Sequence, residues 1–257
     1  MTDRTWQRRW ATVVDKLQVV ADAADEQRLL DTLLAPQAPT VLGFVNAHAM
    51  NLMAGNGEFY KALVAADVLL RDGSGMGLLY RRLGLAPGLN MNGTDFIPRV
   101  LAACNGRRVA LWGTREPALA QAAQNCEARF GVRPVSVHDG FADVETYLRL
   151  ARELQPELIV LGMGMPRQEL VAARLVAVAG PCLIVCGGAI LDFLGGGVDR
   201  APAWVRRLGM EWLYRLLKEP RRLFGRYVLG NPLFVLRTLA CSKARGTAGS
   251  GVPGSEP

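Results

Sequence analysis

The chain has 257 residues, half of them hydrophobic, and carries a formal net charge of +7 at pH 7. This length suits one large α/β domain or two small ones, and the positive charge predicts anionic partners, with nucleotides, acidic lipids and nucleic acid all open. The five cysteines form no Cys-x-x-Cys pair and the two histidines lie far apart, so the composition argues against a histidine-rich metal site and suits a reducing compartment.

No apolar stretch of the sequence is long enough to cross a membrane. The longest uncharged run covers residues 175–191, contains Gly180-Pro181, and is shorter than the ~20 residues that span a bilayer. The segment MTDRTWQRRWATVVDKL at the start contains no uninterrupted apolar region of the kind that marks a signal peptide. We therefore expect no spanning segment, and we interpret the uncharged run as a buried strand with flanking turns.

Strand-like and helix-like segments alternate from residue 40 to residue 186. The predicted strands are Thr40–Val45, Val68–Arg71, Arg108–Trp112, Pro134–Val137, Leu158–Leu161 and Leu183–Cys186. The predicted helices are Asn46–Val64, interrupted at Gly55 and Gly57, then Gly75–Leu83, Asp95–Cys104 after a Thr94 cap, Pro117–Phe130, Val144–Leu154 and Arg167–Ala177. Helices of this length between strands predict the α/β class, with a Rossmann-like, mostly parallel sheet covered by helices on both faces.

The composition changes near residue 199. Basic residues crowd together over 200–237 and alternate with aromatic and aliphatic side chains, a pattern typical of helices that lie at a membrane surface. The last residues, 242–257, are rich in glycine, serine and proline. We therefore predict three parts: an α/β domain at 1–198, a basic amphipathic helical appendage at 199–241, and a disordered tail at 242–257.

Three of the predicted strands end in glycine-rich turns that would meet at one edge of a parallel sheet. Asp72-Gly73-x-Gly75 follows the second strand, Gly162 to Pro166 follows the fifth, and Gly187-Gly188 follows the sixth. Glycine allows a ligand to approach the backbone closely. Because α/β proteins bind ligands at the carboxyl ends of their strands, these turns predict a binding crevice with a carboxylate in it.

Two polar residues, Asn46 and His48, come just after the first strand and would lie at the same edge. Each feature also has a plain structural interpretation: Asp72 as a helix cap, Asn46 as a turn residue, His48 as a helix histidine, and the glycines as turn chemistry. The dinucleotide fingerprint G-x-G-x-x-G fails at Leu78, and the sequence contains no G-x-x-x-x-G-K-[ST] loop. The strand ends therefore predict a ligand-binding edge without naming its ligand.

Several segments, taken in order, resemble one enzyme family. They are Asn46-Ala47-His48, Asp72-Gly73-x-Gly75, Gly93-Thr94-Asp95, Gly162-x-Gly164-x-Pro166-Arg167-Gln168-Glu169, Gly187-Gly188-Ala189 with Asp192-Phe193, Arg200-Ala-Pro-x-Trp204, Glu211-Trp212-Leu-Tyr-Arg215 and Glu219-Pro220-Arg221-Arg222. Across residues 40–232 this set resembles the WecG/TagA/CpsF glycosyltransferases, glycosyltransferase family 26. Two positions depart from the family's usual pattern, Phe44 in place of a threonine and Asn90 in place of an arginine, and both bear on which sugar is transferred.

The resemblance implies an inverting, UDP-sugar-dependent hexosyltransferase. The sugar, of an N-acetylmannosamine type, a uronic acid or a hexose, would pass to a polyprenyl-diphosphate-linked saccharide in the synthesis of a cell-surface polysaccharide or a teichoic acid. The resemblance also implies catalysis without a metal or a cofactor, a peripheral location on the cytoplasmic face of the membrane with anionic lipid as a partner, and no role for nucleic acid. It leaves a homo-oligomer open.

The family's functional residues map onto this chain by motif. Asp72 matches the general base, Gln168 matches a glutamine that contacts the nucleotide, and the tail arginines that stabilise the diphosphate match Arg215, Arg221 and Arg222. The other expected substrate-binding residues are Asn46, His48, Gly73, Gly75, Asn92, Thr94, Asp95, Gly164, Arg167, Glu169, Gly187, Gly188, Asp192 and Arg200. Two other interpretations stay open: another Rossmann-like nucleotide-binding enzyme such as an oxidoreductase, and a non-enzymatic basic module that binds a membrane surface or nucleic acid.

Overall fold

The structure of the chain, a computed structural model, describes residues 5–197 and 200–241. The described residues up to 197 form a seven-stranded, fully parallel sheet with helices around it, which confirms the predicted α/β class and the Rossmann-like sheet. The predicted domain boundary between residues 198 and 199, and the predicted tail at 242–257, lie outside the described residues.

The order of the strands places a crevice near the middle of the sheet. The strands are β1 (Leu17–Gln18), β2 (Thr40–Val45), β3 (Val68–Arg71), β4 (Val109–Gly113), β5 (Ser136–His138), β6 (Leu158–Gly162) and β7 (Leu183–Cys186). Their order is β1-β3-β2-β7-β6-β4-β5, so the chain leaves β2 first toward one side and later returns on the other. Open α/β sheets bind ligands where the strand order reverses in this way, here beside β2 and β7.

Helices follow most of the strands. The helices before residue 198 are α1 (Thr5–Lys16), α2 (Ala23–Leu33), α3 (Ala47–Gly55), α4 (Gly57–Ala65), α5 (Ser74–Leu83), α6 (Gly93–Ala102), α7 (Ala118–Phe130), α8 (Val144–Leu154), α9 (Arg167–Leu175) and α10 (Ile190–Leu194). Residues 200–241 form α11 (Ala203–Arg207), α12 (Glu211–Lys218), α13 (Pro220–Phe224), a π-helical turn (Gly225–Leu229) and α14 (Gly230–Ala240). The sequence did not predict α1, β1 or α2.

The start of α6 corrects the expectation that Thr94 caps this helix. Asn92 is the N-cap, and its side-chain oxygen accepts a hydrogen bond from the backbone N–H of Asp95 at 2.9 Å. Asparagine is among the most favourable N-cap residues. Because this cap lies two residues earlier than expected, Gly93 and Thr94 belong to the first turn of α6.

The strands of the central sheet are buried on both faces. Along β2, Val41 and Val45 belong to one hydrophobic core, and Leu42 and Phe44 belong to the other. Successive side chains of a strand point to opposite faces, so a parallel strand covered on both sides is hydrophobic throughout. If the register of a strand shifted by one residue, the side chains of its two faces would exchange cores. The packing therefore fixes the register and keeps the carboxyl ends of the strands along one edge.

The first and last helices complete one of these cores together. Trp10 in α1 is buried and donates its indole N–H to the carbonyl oxygen of Met50 at 2.7 Å. Its ring packs on that of Phe234 in α14, with centroids 5.3 Å apart, and Phe234 is itself buried. Asn51 in α3 donates to the carbonyl oxygen of Gly230 at 2.7 Å. Helix α14 is thus packed against the sheet domain by both apolar and polar contacts.

Candidate active site

Asn46 and Asp72 follow the neighbouring strands β2 and β3 and meet at the carboxyl edge of the sheet. Asn46 is the N-cap of α3, and its side-chain oxygen accepts from the backbone N–H of Ala49 at 3.1 Å. Because that bond fixes the orientation of the amide, its NH₂ group donates to the Asp72 carboxylate at 3.2 Å. The interpretation of Asp72 as a helix cap is wrong, since α5 has Gly73 at its N-cap and no side-chain cap bond.

The loop between α5 and α6 holds the backbone around Asp72. The buried Arg71 side chain donates to two carbonyl oxygens of loop 84–92, at 2.6 and 2.8 Å. Asn90 accepts from the backbone N–H of Gly73 at 2.6 Å. Gly73 has a φ of +88°, in a region that glycine enters without a steric penalty. The glycine therefore makes the turn, and the loop fixes the position of the carboxylate beside it.

The pKa values of Asp72 and His48 are shifted at this edge of the sheet. Burial raises the pKa of Asp72, and the Asn46 hydrogen bond and the nearby guanidinium groups of Arg226 and Arg215 oppose that rise only in part. Burial, aided by the charge of Arg226, lowers the pKa of His48 to about 4, so its imidazole is neutral near pH 7. A carboxylate with a raised pKa is a better proton acceptor than an ordinary aspartate.

Two cavities meet at Asp72. One, of about 460 Å³, lies along the ends of β4, β6 and β7, and we call it the sheet-edge cavity. The other, of about 360 Å³, lies between α5, α12 and α14, and we call it the helical cavity. The residues that line both are Asn46, His48, Asp72, Thr94, Arg215 and Arg226. A group bound in either cavity would therefore reach the same carboxylate.

The sheet-edge cavity contains six further residues that the sequence had singled out, Gly164, Gln168, Gly187, Gly188, Asp192 and Arg222. It also contains residues that the sequence analysis missed, at the ends of β4 and β5: Thr114 donates its hydroxyl to the Asp192 carboxylate, and the Arg115 guanidinium lies 4.0 Å above the ring of Phe141. Gly113-Thr114-Arg115 follows a buried strand just as the other glycine turns do, and that pattern could have revealed it.

The helical cavity combines apolar and polar walls. Gly73, Gly75 and Asn92, which the sequence had suggested as substrate-binding residues, line it. Gly75 has a particular reason for being glycine, because a Cβ there would lie 3.3 Å from the Ala47 Cβ and 3.4 Å from the Phe234 ring. Its apolar lining residues are Leu78, Trp212, Tyr227, Phe234 and Val235, and its other polar ones include Ser74, Asn90, Glu211 and Asn231.

Arginines of the C-terminal helices close over both cavities. Arg215 and Arg226 line the two cavities, and Arg222 lines the sheet-edge cavity. Arg221 is exposed and lines neither. The sequence analysis did not select Arg226, although its position four residues after Arg222 places the two on one face of a helix. Three guanidinium groups therefore lie around the edge of the sheet.

A family model described as the glycosyl transferase WecG/TagA/CpsF family matches residues 14–248. The chain belongs to this family. It is therefore a glycosyltransferase of cell-surface polysaccharide synthesis, and family membership implies in general a nucleotide-sugar donor and a lipid-linked acceptor. The match covers the sheet domain and the C-terminal helices alike, so both lie within the part of the chain that matches the WecG/TagA/CpsF family.

Four further predicted site residues of this glycosyltransferase, Asp95, Arg167, Glu169 and Arg200, line neither cavity. Arg200 forms an ion pair with Asp95 in α6, and its Nε lies 3.9 Å from a carboxylate oxygen of Glu211 in α12. Arg167 donates to the carbonyl oxygen of Ala142. The fourth, Glu169, is buried in α9. These residues tie elements of the site together rather than line its cavities.

The described part of this WecG/TagA/CpsF enzyme contains neither a cluster of metal-ligating side chains nor a helix able to span a membrane. Within residues 5–197 and 200–241, no group of three or more His, Cys, Asp or Glu side chains is arranged to hold a metal ion. In the same described ranges, none of the helices has both the length and the apolar character needed to cross a bilayer.

Proposed function

We propose that this glycosyltransferase moves a sugar from a UDP-linked donor to a hydroxyl of a polyprenyl-diphosphate-linked saccharide, with inversion at the anomeric carbon and Asp72 as the general base. The sugar would be of an N-acetylmannosamine type, a uronic acid or a hexose. The observation that carries the proposal is the place of Asp72, which lines both cavities at their junction. A base in that position can take a proton from one substrate while the other holds the reacting carbon.

The sheet-edge cavity suits the donor. It lies at the carboxyl ends of the strands, where α/β proteins bind nucleotides. Arg215, Arg222 and Arg226 line it and would offset the charge of a diphosphate. The Arg115–Phe141 pair offers a flat, partly apolar surface that suits a nucleobase.

The helical cavity suits the acceptor. Asn90, Asn92 and Asn231 can hydrogen-bond sugar hydroxyls, and Trp212 and Tyr227 offer aromatic faces to a pyranose ring or an isoprenoid. Several strongly apolar residues of the C-terminal helices are more than half exposed: Trp204, Leu208, Leu217, Phe224, Leu229, Leu236 and Leu239. They would let these helices rest on the inner face of the cell membrane, where anionic lipid attracts arginines at about 1 kcal/mol each.

The proposed step is a single displacement. The acceptor hydroxyl oxygen attacks the anomeric carbon as its proton passes to Asp72, and the bond from that carbon to the diphosphate oxygen breaks. UDP leaves with the bonding electron pair, and the guanidinium groups of Arg215 and Arg226 would stabilise the charge that develops on it. One attack from the face opposite the leaving group inverts the configuration.

The decisive test is a panel of UDP-sugars with a lipid-diphosphate-linked monosaccharide, analysed by the mass of the product and by NMR of the new linkage. We expect one donor to add a single hexosyl unit with inverted anomeric configuration. Retention of configuration would overturn the single displacement. Binding of NAD in competition with UDP would favour the oxidoreductase alternative, and steeply salt-dependent binding to arbitrary DNA would favour the nucleic-acid-binding module.

A further inference from the structure

One side chain joins the turns after β6 and β7. Gln168 is fully buried, and its carbonyl oxygen accepts from the backbone N–H of Gly164 at 3.2 Å and from that of Gly188 at 2.9 Å. The two glycines lie in different turns, both have positive φ, at +76° and +61°, and both line the sheet-edge cavity. The amide oxygen of Gln168 thus holds two walls of that cavity in a fixed relation.

Glu169 determines which way the amide of Gln168 points. A glutamine presents an oxygen on one side and an NH₂ group on the other, so a flipped amide would place NH₂ against two N–H donors. In the observed orientation the NH₂ group donates to a carboxylate oxygen of Glu169 at 2.8 Å. The Glu169 carboxylate therefore stabilises the one amide orientation in which the Gln168 oxygen also accepts from the N–H groups of Gly164 and Gly188.

The burial of Glu169 indicates that its carboxyl group has a role other than filling space. The residue is 4% exposed, and its second oxygen has no hydrogen-bond partner among the described residues. Burying an incompletely paired acid costs free energy, and an apolar side chain of the same size would fill the space without that cost. A polar group retained under these conditions is explained by the amide that it orients.

We propose that Glu169 is a positioning residue for the donor, which orients the Gln168 amide and through it the Gly164 and Gly188 turns of the sheet-edge cavity. The inference rests on the proposed function, because it takes this cavity as the donor site. On this view Gln168 acts on the nucleotide through the two turns, and Glu169 makes no contact with the donor at all.

Three variants test the proposal. Glu169→Met keeps the volume of the side chain and removes the acceptor, whereas Glu169→Gln keeps an acceptor oxygen in the same place. Val171→Ala, which also changes a buried residue of α9, is the matched control for a loss of packing. Gln168→Met removes the link itself and gives a second measurement if Glu169→Met folds poorly.

The first measurement needs no ligand: amide hydrogen exchange in protein labelled with ¹⁵N-glycine, followed by NMR. Once the amide of Gln168 can flip, we expect the N–H groups of Gly164 and Gly188 to exchange about tenfold faster, as fits the loss of a buried hydrogen bond. Other glycines should exchange as before. Glu169→Gln and Val171→Ala should leave both amides protected. Unchanged exchange in Glu169→Met, or equal effects in Val171→Ala, would overturn the proposal.

The second measurement is the dissociation constant for UDP. Glu169→Met and Gln168→Met should weaken UDP binding by about tenfold, the equivalent of one lost hydrogen bond, while the Michaelis constant for a soluble acceptor stays as in the wild type. Glu169→Gln should restore UDP affinity. If the two glycines lose protection but the wild-type protein binds no UDP, the positioning role is supported and the assignment of the donor cavity is overturned.

Discussion

The amide of Asn46 is bonded on both sides, and only its NH₂ group faces Asp72. Its oxygen caps α3 by accepting from Ala49 at 3.1 Å, and its NH₂ group donates to Oδ2 of Asp72 at 3.2 Å. The N-cap residue of α3 thereby fixes the direction of the carboxylate that follows the neighbouring strand. Oδ2 is held in place by this bond, and we infer that the other oxygen, Oδ1, takes the proton of the acceptor.

Asp72→Asn tests that role. The amide keeps the shape of the side chain but cannot act as a base, so turnover should fall by about 10²-fold or more, in line with the usual contribution of general bases. UDP should still bind, because the arginines and the glycine turns are unchanged. The measurements are initial rates and UDP titration of a variant whose thermal unfolding matches the wild type. Near-normal turnover would remove Asp72 from the mechanism.

The C-terminal arginines allow a matched comparison. Arg226 lines both cavities, whereas Arg221 is exposed and lines neither. If arginines stabilise the departing diphosphate, Arg226→Gln should lower turnover by about 10²-fold, the order of effect seen when one donor to a developing anion is lost. Arg221→Gln should change it little. Turnover is measured with a water-soluble acceptor. Equal losses of turnover in both variants would show that the total positive charge of these helices matters, and not the position of Arg226 in the cavities.

Much of the fold could be predicted because the strands are hydrophobic on both faces and are punctuated by glycine turns. Six of the seven strands lie within two residues of their predicted positions. The remaining strand, β1, has two residues, and so short a segment carries no period of its own. Helix α1 was missed although its one buried stripe includes Trp10 and Val13, because Arg8 and Arg9 come directly before Trp10 and no extended apolar pattern surrounds these positions.

The residues of the candidate site were predictable where a motif follows a strand. They were less predictable where tertiary packing determines which side chains face the cavities. Charge patterning treats residues 199–241 as one appendage, yet α12 buries none of its residues while α14 places Phe234 in the core beside Trp10. Helix α14 is apolar around most of its circumference, with Phe234 buried and Leu236 and Leu239 exposed, so the sequence alone does not show which side meets the core. Arg226 was missed for the same reason: its importance comes from the side of the helical turn that faces Asp72.

Chelation should leave activity intact. The cavities are lined by guanidinium groups that can stabilise a diphosphate, and the described residues contain no cluster of three metal-ligating side chains. We therefore expect the same rate before and after dialysis against EDTA, measured with a fixed donor and acceptor. Loss of activity that Mg²⁺ or Mn²⁺ restores would contradict the assignment of leaving-group stabilisation to the arginines.

Membrane association should depend on exposed apolar side chains of the C-terminal helices. Leu217 and Leu236 are 74% and 65% exposed, and neither lines a cavity. The double change Leu217→Ser and Leu236→Ser should lower the affinity for anionic liposomes, measured by sedimentation, by about 100-fold or more, since each buried aliphatic side chain contributes about 1.5–3 kcal/mol. Turnover of a water-soluble acceptor should stay the same.

The control for that experiment is Val135→Ser, a change of an exposed residue just before the edge strand β5. It removes apolar surface from the opposite part of the fold and should leave liposome binding as it is. If the control variant loses binding as much as the double variant does, the C-terminal helices are not the contact surface.

Glu169 should contribute a loss of stability as pH rises from about 4.5 to about 7. Burial raises the pKa of Glu169 from its ordinary 4.5 to about 7, although the Gln168 hydrogen bond opposes the rise. Between these two values the folded protein holds a proton that the unfolded chain has released. Folding is therefore favoured at low pH, and this contribution is lost as pH rises from 4.5 through 7, by about 3 kcal/mol at most.

Urea unfolding at pH 5 and at pH 8 measures this change, and Glu169→Gln removes it because the amide does not titrate. Cys186 faces Glu169 and has its own pKa raised well above 9 by burial and by that carboxylate, so it stays protonated across the range. Burial also raises the pKa of Asp72, whose contribution has the same sign, and lowers the pKa of His48 to about 4, whose contribution has the opposite sign. Both contributions are common to the two proteins. The wild type should therefore lose more stability between pH 5 and pH 8 than Glu169→Gln does. Equal changes in the two proteins would mean that folding does not raise the pKa of Glu169.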